Sequence, residues 1–293
     1  MESGIDGDSI ALIGVGALGI NTLPLIVGKG VKRIKLIDLD IVSQDTVYRS
    51  MALSPGDIYL YKVDVVERIV RARYPWVKVV KYPVMLSRSN YMRVLKDVDL
   101  IIDASNNLET NLLSSYAAHK MGKNLLIVAA GRGYLTTYLP RGSAPEEGWL
   151  ERIYESIEGG YGPRELYGAV SHIPSVVGKA SKYVIHRGGI VSGVPPTSIP
   201  PEPMDHDIYM LGDTLFYTSD ERVAIDIERL AREVARTNIL FRRSESGIVF
   251  EYMDYMMGVT YTGSALILGV DDFEVGVATL RRFIDSIAYK FVV

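Results

Sequence analysis

IALIGVGALG, residues 10–19, and RIKLIDLD, residues 33–40, decide the fold. The first is an apolar run that breaks at Gly14-Val15-Gly16-Ala17-Leu18-Gly19. The second is another apolar run, ending in Asp38-Leu39-Asp40. A helix-length segment lies between them. A strand, a glycine turn, a helix and a second strand closing on an acid form the pattern of a nucleotide-binding βαβ unit. Gly14 allows the tight bend, Gly16 lets backbone approach a phosphate, and Gly19 lets the helix sit close to the strand. The helix N-terminus offers free N–H groups and partial positive charge to an anion. Asp38 is placed to accept hydrogen bonds from a ribose.

Outward from this unit the apolar pattern keeps alternating. It predicts a helix at 18–27, with Pro24 kinking or shortening it, and a helix at 63–73 carrying Val63, Val66, Ile69 and Val70 on one face. Strands follow at 77–80 and 100–102, the latter ending at Asp103, with a short helix at 91–95 between them. A helix at 108–121 precedes a strand at 125–129, then Gly131-Arg132-Gly133 and an antiparallel partner at 134–138. This alternation predicts an α/β fold with a doubly wound, mostly parallel, Rossmann-like sheet. Ligands of such sheets bind beyond the C-terminal strand ends, where Gly14, Asp38 and Asp103 all lie.

Residues 140–167 read as a Gly- and Pro-rich connection interrupted by a helix at 149–156, and residues 176–186 as a helix. VPPTSIPPEP, residues 194–203, is extended and stiff, so the division is a domain at 1–193, a Pro-rich linker at 194–207 and a small α+β unit at 208–293. In that unit strands are expected at 208–217, 239–242 and 248–252, and helices at 220–237 and 273–291.

The net charge is −3 with acids and bases mixed, so no nucleic acid is expected as partner. No apolar run reaches membrane-spanning length, and MESGIDGDS has no signal-peptide pattern. No membrane association and a cytoplasmic location are therefore expected. The absence of cysteine excludes disulfides, thiolate metal sites and a catalytic thiol in this chain. His119, His172, His186 and His206 lack ligand spacing.

The order GVGALG, LIDLDIVSQDTVYRS (36–50), Lys62 and DLIIDASNN (99–107) resembles the ThiF/MoeB/HesA family of adenylating enzymes related to ubiquitin-activating enzymes. GAVSHIPSVVGKASKYVI, residues 168–185, resembles the family's late helix more loosely. The resemblance implies ATP and Mg²⁺ as cofactors and a small ubiquitin-like protein or peptide as partner. The C-terminal carboxylate of that partner would be adenylated, and the chain would form a homodimer. It implies Arg49 and Lys62 as catalytic phosphate contacts. Gly14, Gly16, Gly19, Asp38, Asp40 and Asn106 are implied at the nucleotide.

The chain also departs from the family pattern. Thr46 stands for the family's Asn, Ser50 for its Gln, and Asn106 for the Asp that helps hold Mg²⁺. Asp103 is the nearest acid to substitute at the metal. No Arg or Lys precedes Lys29 to reach a partner subunit's phosphates; Arg132 is a candidate replacement. Three readings stay open: an adenylyltransferase without a thioester step, an impaired ATP-binding scaffold of the same family, and an NAD-dependent oxidoreductase.

Overall fold

The apolar run at residues 9–13 becomes a strand buried along its whole length. Ile10 and Leu12 enter one hydrophobic core, Ala11 and Ile13 another. Side chains alternate across a strand, so a strand covered on both faces reads as a continuous apolar run.

The computed structural model describes residues 8–28, 30–50, 52–176, 182–186, 190–193, 208–219, 223–237, 239–286 and 288–292. The first half runs β1 (Ser9–Ile13), α1 (Ala17–Val27), β2 (Arg33–Ile37), α2 (Gln44–Arg49), α3 (Lys62–Arg73), β3 (Lys78–Tyr82), α4 (Tyr91–Val94), β4 (Leu100–Asp103) and α5 (Leu108–Met121). It continues through β5 (Asn124–Ala130), β6 (Tyr134–Leu139), α6 (Trp149–Ile157), α7 (Pro163–Ser171), α8 (Ile173–Val176), β7 (Lys182–His186) and β8 (Ile190–Gly193). The sheet order is β3-β2-β1-β4-β5-β6-β7-β8. Neighbours are parallel from β3 to β5 and antiparallel from β5 to β8. Helices α1, α3 and α7 cover one face, and α4, α5 and α6 the other. The chain order reverses at β1, flanked by β2 and β4, so the crevice outside its C-terminal end is the site this topology provides.

The glycine turn has a steric cause. Gly14 has φ +78°, and a Cβ there would lie 2.5 Å from the Ser105 Cα. A Cβ on Gly19 would lie 2.1 Å from the Gly14 carbonyl oxygen. Contacts this short against backbone exclude any larger residue, so β4, the turn and α1 pack at glycine distance.

Three expectations need correction. Pro24 does not shorten α1, which stays helical to Val27. Residues 182–186 form a strand, not the end of a helix: Lys-Tyr-Val-Ile-His pairs antiparallel with β6, and a β-branched run facing an open sheet edge takes that pairing. Residues 177–181 lie outside the described residues. The 140–167 connection leads directly into α7, which starts on Pro163 with Gly162 as N-cap. Proline is suited to a first helical position because its missing N–H has no partner there. The expected linker at 194–207 falls outside the described residues.

The C-terminal unit comprises β9 (Ile208–Leu211), β10 (Thr214–Tyr217), α9 (Ile227–Arg236), β11 (Phe241–Arg243), β12 (Gly247–Tyr252), β13 (Tyr255–Thr260), β14 (Ala265–Leu268) and α10 (Phe273–Ser286). Its antiparallel sheet has the order β11-β12-β13-β14-β10-β9. Leu215, Ile248, Phe250 and Ile267 pack under α9 and α10. Phe216, Val249 and Leu266, on the other face, join the core of the first sheet. Tyr61 fixes this junction. It is fully buried, and Cβ atoms on Gly247 and Gly258 would come within 2.7 and 2.8 Å of its ring and hydroxyl. Two strands of the C-terminal sheet are glycine there because the ring of the residue before Lys62 fills the space. Lys81 adds a polar tie: its ammonium lies 2.8 Å from Asp64, 2.7 Å from Glu67 and 2.5 Å from Glu245. That ammonium occupies the centre of the acidic cluster and offsets part of its charge. Among the described residues, no helix is long and apolar enough to cross a membrane.

Candidate active site

The cleft beyond β1 has a volume of about 420 Å³. Gly14, Gly16, Asp38, Asp40, Arg49, Lys62 and Asn106 all line it. Sequence reasoning placed these seven together, and the fold brings them together. Gly19 lies behind the turn, buried, and acts only by letting α1 approach.

Asp38 ends β2 and reaches back under the glycine turn. One carboxylate oxygen accepts from the Val15 N–H at 2.8 Å, the other from the Asp40 N–H at 2.8 Å. Burial raises its pKa; Asp40 adds to the rise, while Lys62 and the two N–H donors oppose it. Burial alone would lower the Lys62 ammonium, but the Asp40 and Asp38 carboxylates outweigh it and raise its pKa. Lys62 donates to Asp40, and its side chain is only 12% exposed. The first residue of α3, it aims its Nζ at the glycine turn, where a Cβ on Gly16 would lie 4.0 Å away.

Arg49 is held in a different way. Ser43 caps α2 by accepting from the Thr46 N–H, which sets the helix against the cleft. One turn apart on that helix, Arg49 and Asp45 form an ion pair at 2.9 Å. The guanidinium lies over the Tyr161 ring, 4.7 Å from its centroid. A cation over an aromatic face is held in orientation as well as in place. Tyr161 belongs to the stretch between α6 and α7, so that connection covers the cleft rather than running past it.

The turn after β4 separates two expected residues. Asn106 lines the cleft with φ +57°, and its side-chain oxygen accepts from the Ala130 N–H at 2.8 Å, tying this turn to the end of β5. Asp103 does not line the cleft. It is wholly buried, with one oxygen accepting from the Ser105 N–H and hydroxyl, at 3.0 and 2.6 Å, and the other from the Ser114 hydroxyl at 2.6 Å. Burial raises its pKa, against those donors. Its oxygens hold the turn in shape and are not directed at the cleft. Thr46 lines the cleft; Ser50 is buried outside its lining. The Arg132 side chain lies against Gly159, outside the cleft lining.

Five charged residues line the cleft: Asp38, Asp40 and Asp45 against Arg49 and Lys62. A polyphosphate entering this excess of carboxylate needs a further cation. The donor set is oxygen-rich, which suits Mg²⁺, an ion that takes one or two carboxylates and phosphate oxygens and keeps several waters.

Sequence reasoning missed several lining residues. Tyr161 sat in a Gly- and Pro-rich stretch in which no residue was singled out. Tyr209, Leu211 and Phe216 come from the C-terminal sheet and carried no motif.

The ThiF family description matches residues 5–170. Over 121 residues the chain is 33% identical to a sulfur carrier protein adenylyltransferase of Thermus thermophilus, a match covering 41% of this chain and 45% of that protein. Over 124 residues it is 30% identical to an adenylyltransferase and sulfurtransferase UBA4 of Kluyveromyces lactis, covering 42% of this chain and 28% of that protein. The match thus spans less than half the length of either relative. The crystal structure of E. coli MccB superposes with a TM-score of 0.54 at 12% identity, over 70% of this chain and 68% of that one. That likeness is one of fold.

Proposed function

Because the chain belongs to the ThiF family, we propose that it binds ATP with Mg²⁺ and adenylates the C-terminal carboxylate of a small ubiquitin-like protein or peptide. The observation that carries this is that Arg49 and Lys62 line one cleft with the glycine turn and with Asp38, which accepts from the Val15 N–H. The names of the Thermus thermophilus and Kluyveromyces lactis relatives support the same reaction class.

In this reading the substrate carboxylate attacks the α-phosphorus. A bond from carboxylate oxygen to phosphorus forms, the bond from the α-phosphorus to the bridging oxygen breaks, and pyrophosphate leaves with that oxygen. The protein's task is to hold the pieces in line and offset charge spreading onto the phosphate oxygens. Arg49 offers a planar fork to those oxygens, and Lys62 a compact charge beside the glycine turn. Mg²⁺, when bound, would supply the remaining positive charge, with Asp40, partly exposed beside Lys62, a carboxylate able to share it. Asp103 would act indirectly, by shaping the turn that carries Asn106. With no cysteine, this chain has no thiol to take the acyl group, so the acyl-adenylate would pass directly to an acceptor. Pyrophosphate–ATP exchange, run with peptides ending in a free carboxylate, tests the proposal; absence of exchange with bound ATP would leave the scaffold reading. That second reading draws support from Asn106, whose oxygen is engaged by the Ala130 N–H and brings no charge. The comparisons lend no support to the oxidoreductase reading.

Asp38→Ala is expected to weaken ATP binding by about 1–3 kcal/mol, the scale of hydrogen bonds to a charged group. Ribose hydroxyls donate to the ionised carboxylate, so binding favours the charged form. Wild-type affinity should therefore fall as pH drops through the raised Asp38 pKa, and Asp38→Ala should lose that dependence. Calorimetry across the acidic range checks both; equal affinities for the two proteins would remove Asp38 from the site.

Homodimer formation through the nucleotide-binding half is part of the same proposal, since closed two-fold pairs are the commonest assemblies. Light scattering showing a monomer at micromolar concentration would count against it.

A further inference from the structure

The cleft has two chemical halves. Toward the glycine turn it is polar, with Gly16, Lys62 paired to Asp40, Arg49 paired to Asp45, and the Ser43 and Thr46 hydroxyls. Away from the turn it is apolar, walled by Ile37 of β2 and by Val84, Met85 and Leu86 from the segment after β3. Asp38 lies between the halves. A nucleotide has the same order of parts: charged phosphates, a hydroxylated sugar, then an aromatic base. The apolar half is not complete without the C-terminal unit. β9 and β10 form a hairpin turning at Gly212, and Tyr209, Leu211 and Phe216 from it line the cleft. The Tyr209 ring lies on Phe216, with centroids 5.4 Å apart at 27°. Its hydroxyl donates to the Met85 sulfur at 3.0 Å, across 124 residues of sequence.

We propose that Tyr209 is a specificity-determining residue that covers the base of the bound nucleotide, so that the C-terminal unit completes the site. This rests on the reading that the cleft binds ATP. Two placements support it, together with the state of the phenol. The Phe216 ring and the Met85 bond hold the side chain at both ends, so it meets a ligand already ordered, and preorganised contacts lose less entropy on binding. Burial, and then the negative charges of the cleft, push the Tyr209 phenol well above its usual range. Tyr209 is thus a neutral, aromatic surface beside the ribose acid. Finally, Tyr61 and Lys81 tie β12, β13 and Glu245 of the C-terminal sheet to the first half, and Phe216 of the hairpin packs into the core of the first sheet, so the hairpin is a packed wall.

The test is titration calorimetry of the whole chain with ATP and with inorganic tripolyphosphate, on wild type, Tyr209→Ala and Tyr209→Phe. Loss of an aromatic surface against a base is expected to cut ATP affinity about tenfold in Tyr209→Ala. Tripolyphosphate, which has no base, should keep its affinity. Tyr209→Phe keeps the ring and should stay within about threefold of wild type, because a bond to thioether sulfur is weak. Unchanged ATP affinity in Tyr209→Ala, with wild type binding ATP, overturns the proposal alone. Equal losses for ATP and tripolyphosphate overturn it too, since they indicate a general disturbance of the fold. A wild type that binds tripolyphosphate but gains nothing from adenosine removes the ATP reading itself, and this proposal with it. Should Tyr209→Ala fail to fold, Met85→Ala opens the facing wall and must show the same ATP-selective loss; an unselective or absent effect there overturns the proposal.

Discussion

Lys62→Ala is expected to slow pyrophosphate–ATP exchange by about 10²–10³-fold, the scale on which a preorganised charge at a reacting oxyanion acts. It should also destabilise the protein. Removing one partner of a fully buried pair costs about 3–5 kcal/mol, because the other charge is left alone. Asp40 keeps 32% of its side-chain exposure, so solvent screens part of that and about 2 kcal/mol is the expected loss. The two effects separate in a double variant. Lys62→Met with Asp40→Leu removes both charges; it should recover stability in a denaturant melt and remain inactive. A double variant as active as wild type would show that neither residue serves the chemistry. The pH dependence has a definite sign. The folded-state pKa of Lys62 is raised above its ordinary 10.5, so its contribution to stability is fully present below that value. It is lost only as pH rises through the folded value, and neutral and mildly alkaline solutions should show no change from this pair.

Arg49→Ala is expected to lower exchange by about 10²-fold with stability unchanged to within about 0.5 kcal/mol. The contrast with Lys62 follows from exposure. The Arg49 side chain is 36% exposed and that of its partner Asp45 63%, so their ion pair is a surface helix pair of small worth. What Arg49 contributes is a fork held over the Tyr161 ring in the lining of the cleft. Arg49→Lys should therefore rescue only partly, since an ammonium keeps the charge but loses the planar stack and the forked contact. Exchange kinetics and thermal melts on the three proteins check this. Wild-type exchange in Arg49→Ala would mean that the guanidinium contacts no reacting phosphate.

Most of the nucleotide half was legible in the sequence because its signals are local. The β1–α1–β2 unit is written in two apolar runs, three glycines and an acid, all within residues 10–40. Arg49 and Lys62 were legible through their order after that unit. Pro24 did not shorten α1 for a local reason: a proline inside the helix removes one hydrogen bond, and burial of Leu23, Ile26 and Val27 around it keeps the helix together. Asp103 and Asn106 show the limit of reading a turn from its letters. Both stand at a strand end, where a ligand belongs. Which one faces the cleft depends on where Ser114 and the Ala130 N–H lie, and those partners are set by α5 and β5.

By itself the sequence determined the parallel sheet, the glycine turn and the acid beside it, because an apolar run and a glycine bend are properties of a few adjacent residues. Tertiary structure alone decided three things: that residues 182–186 extend the sheet, that Tyr161 lies under Arg49, and that a hairpin beginning at residue 208 walls a cleft begun at residue 14. Each depends on a partner supplied from elsewhere in the chain: the free edge of β6, a guanidinium more than a hundred residues upstream, the Met85 sulfur. A strand edge, a ring face or a thioether imposes no periodicity on the segment that will meet it. Such contacts therefore leave no mark in the sequence until the chain has folded around them.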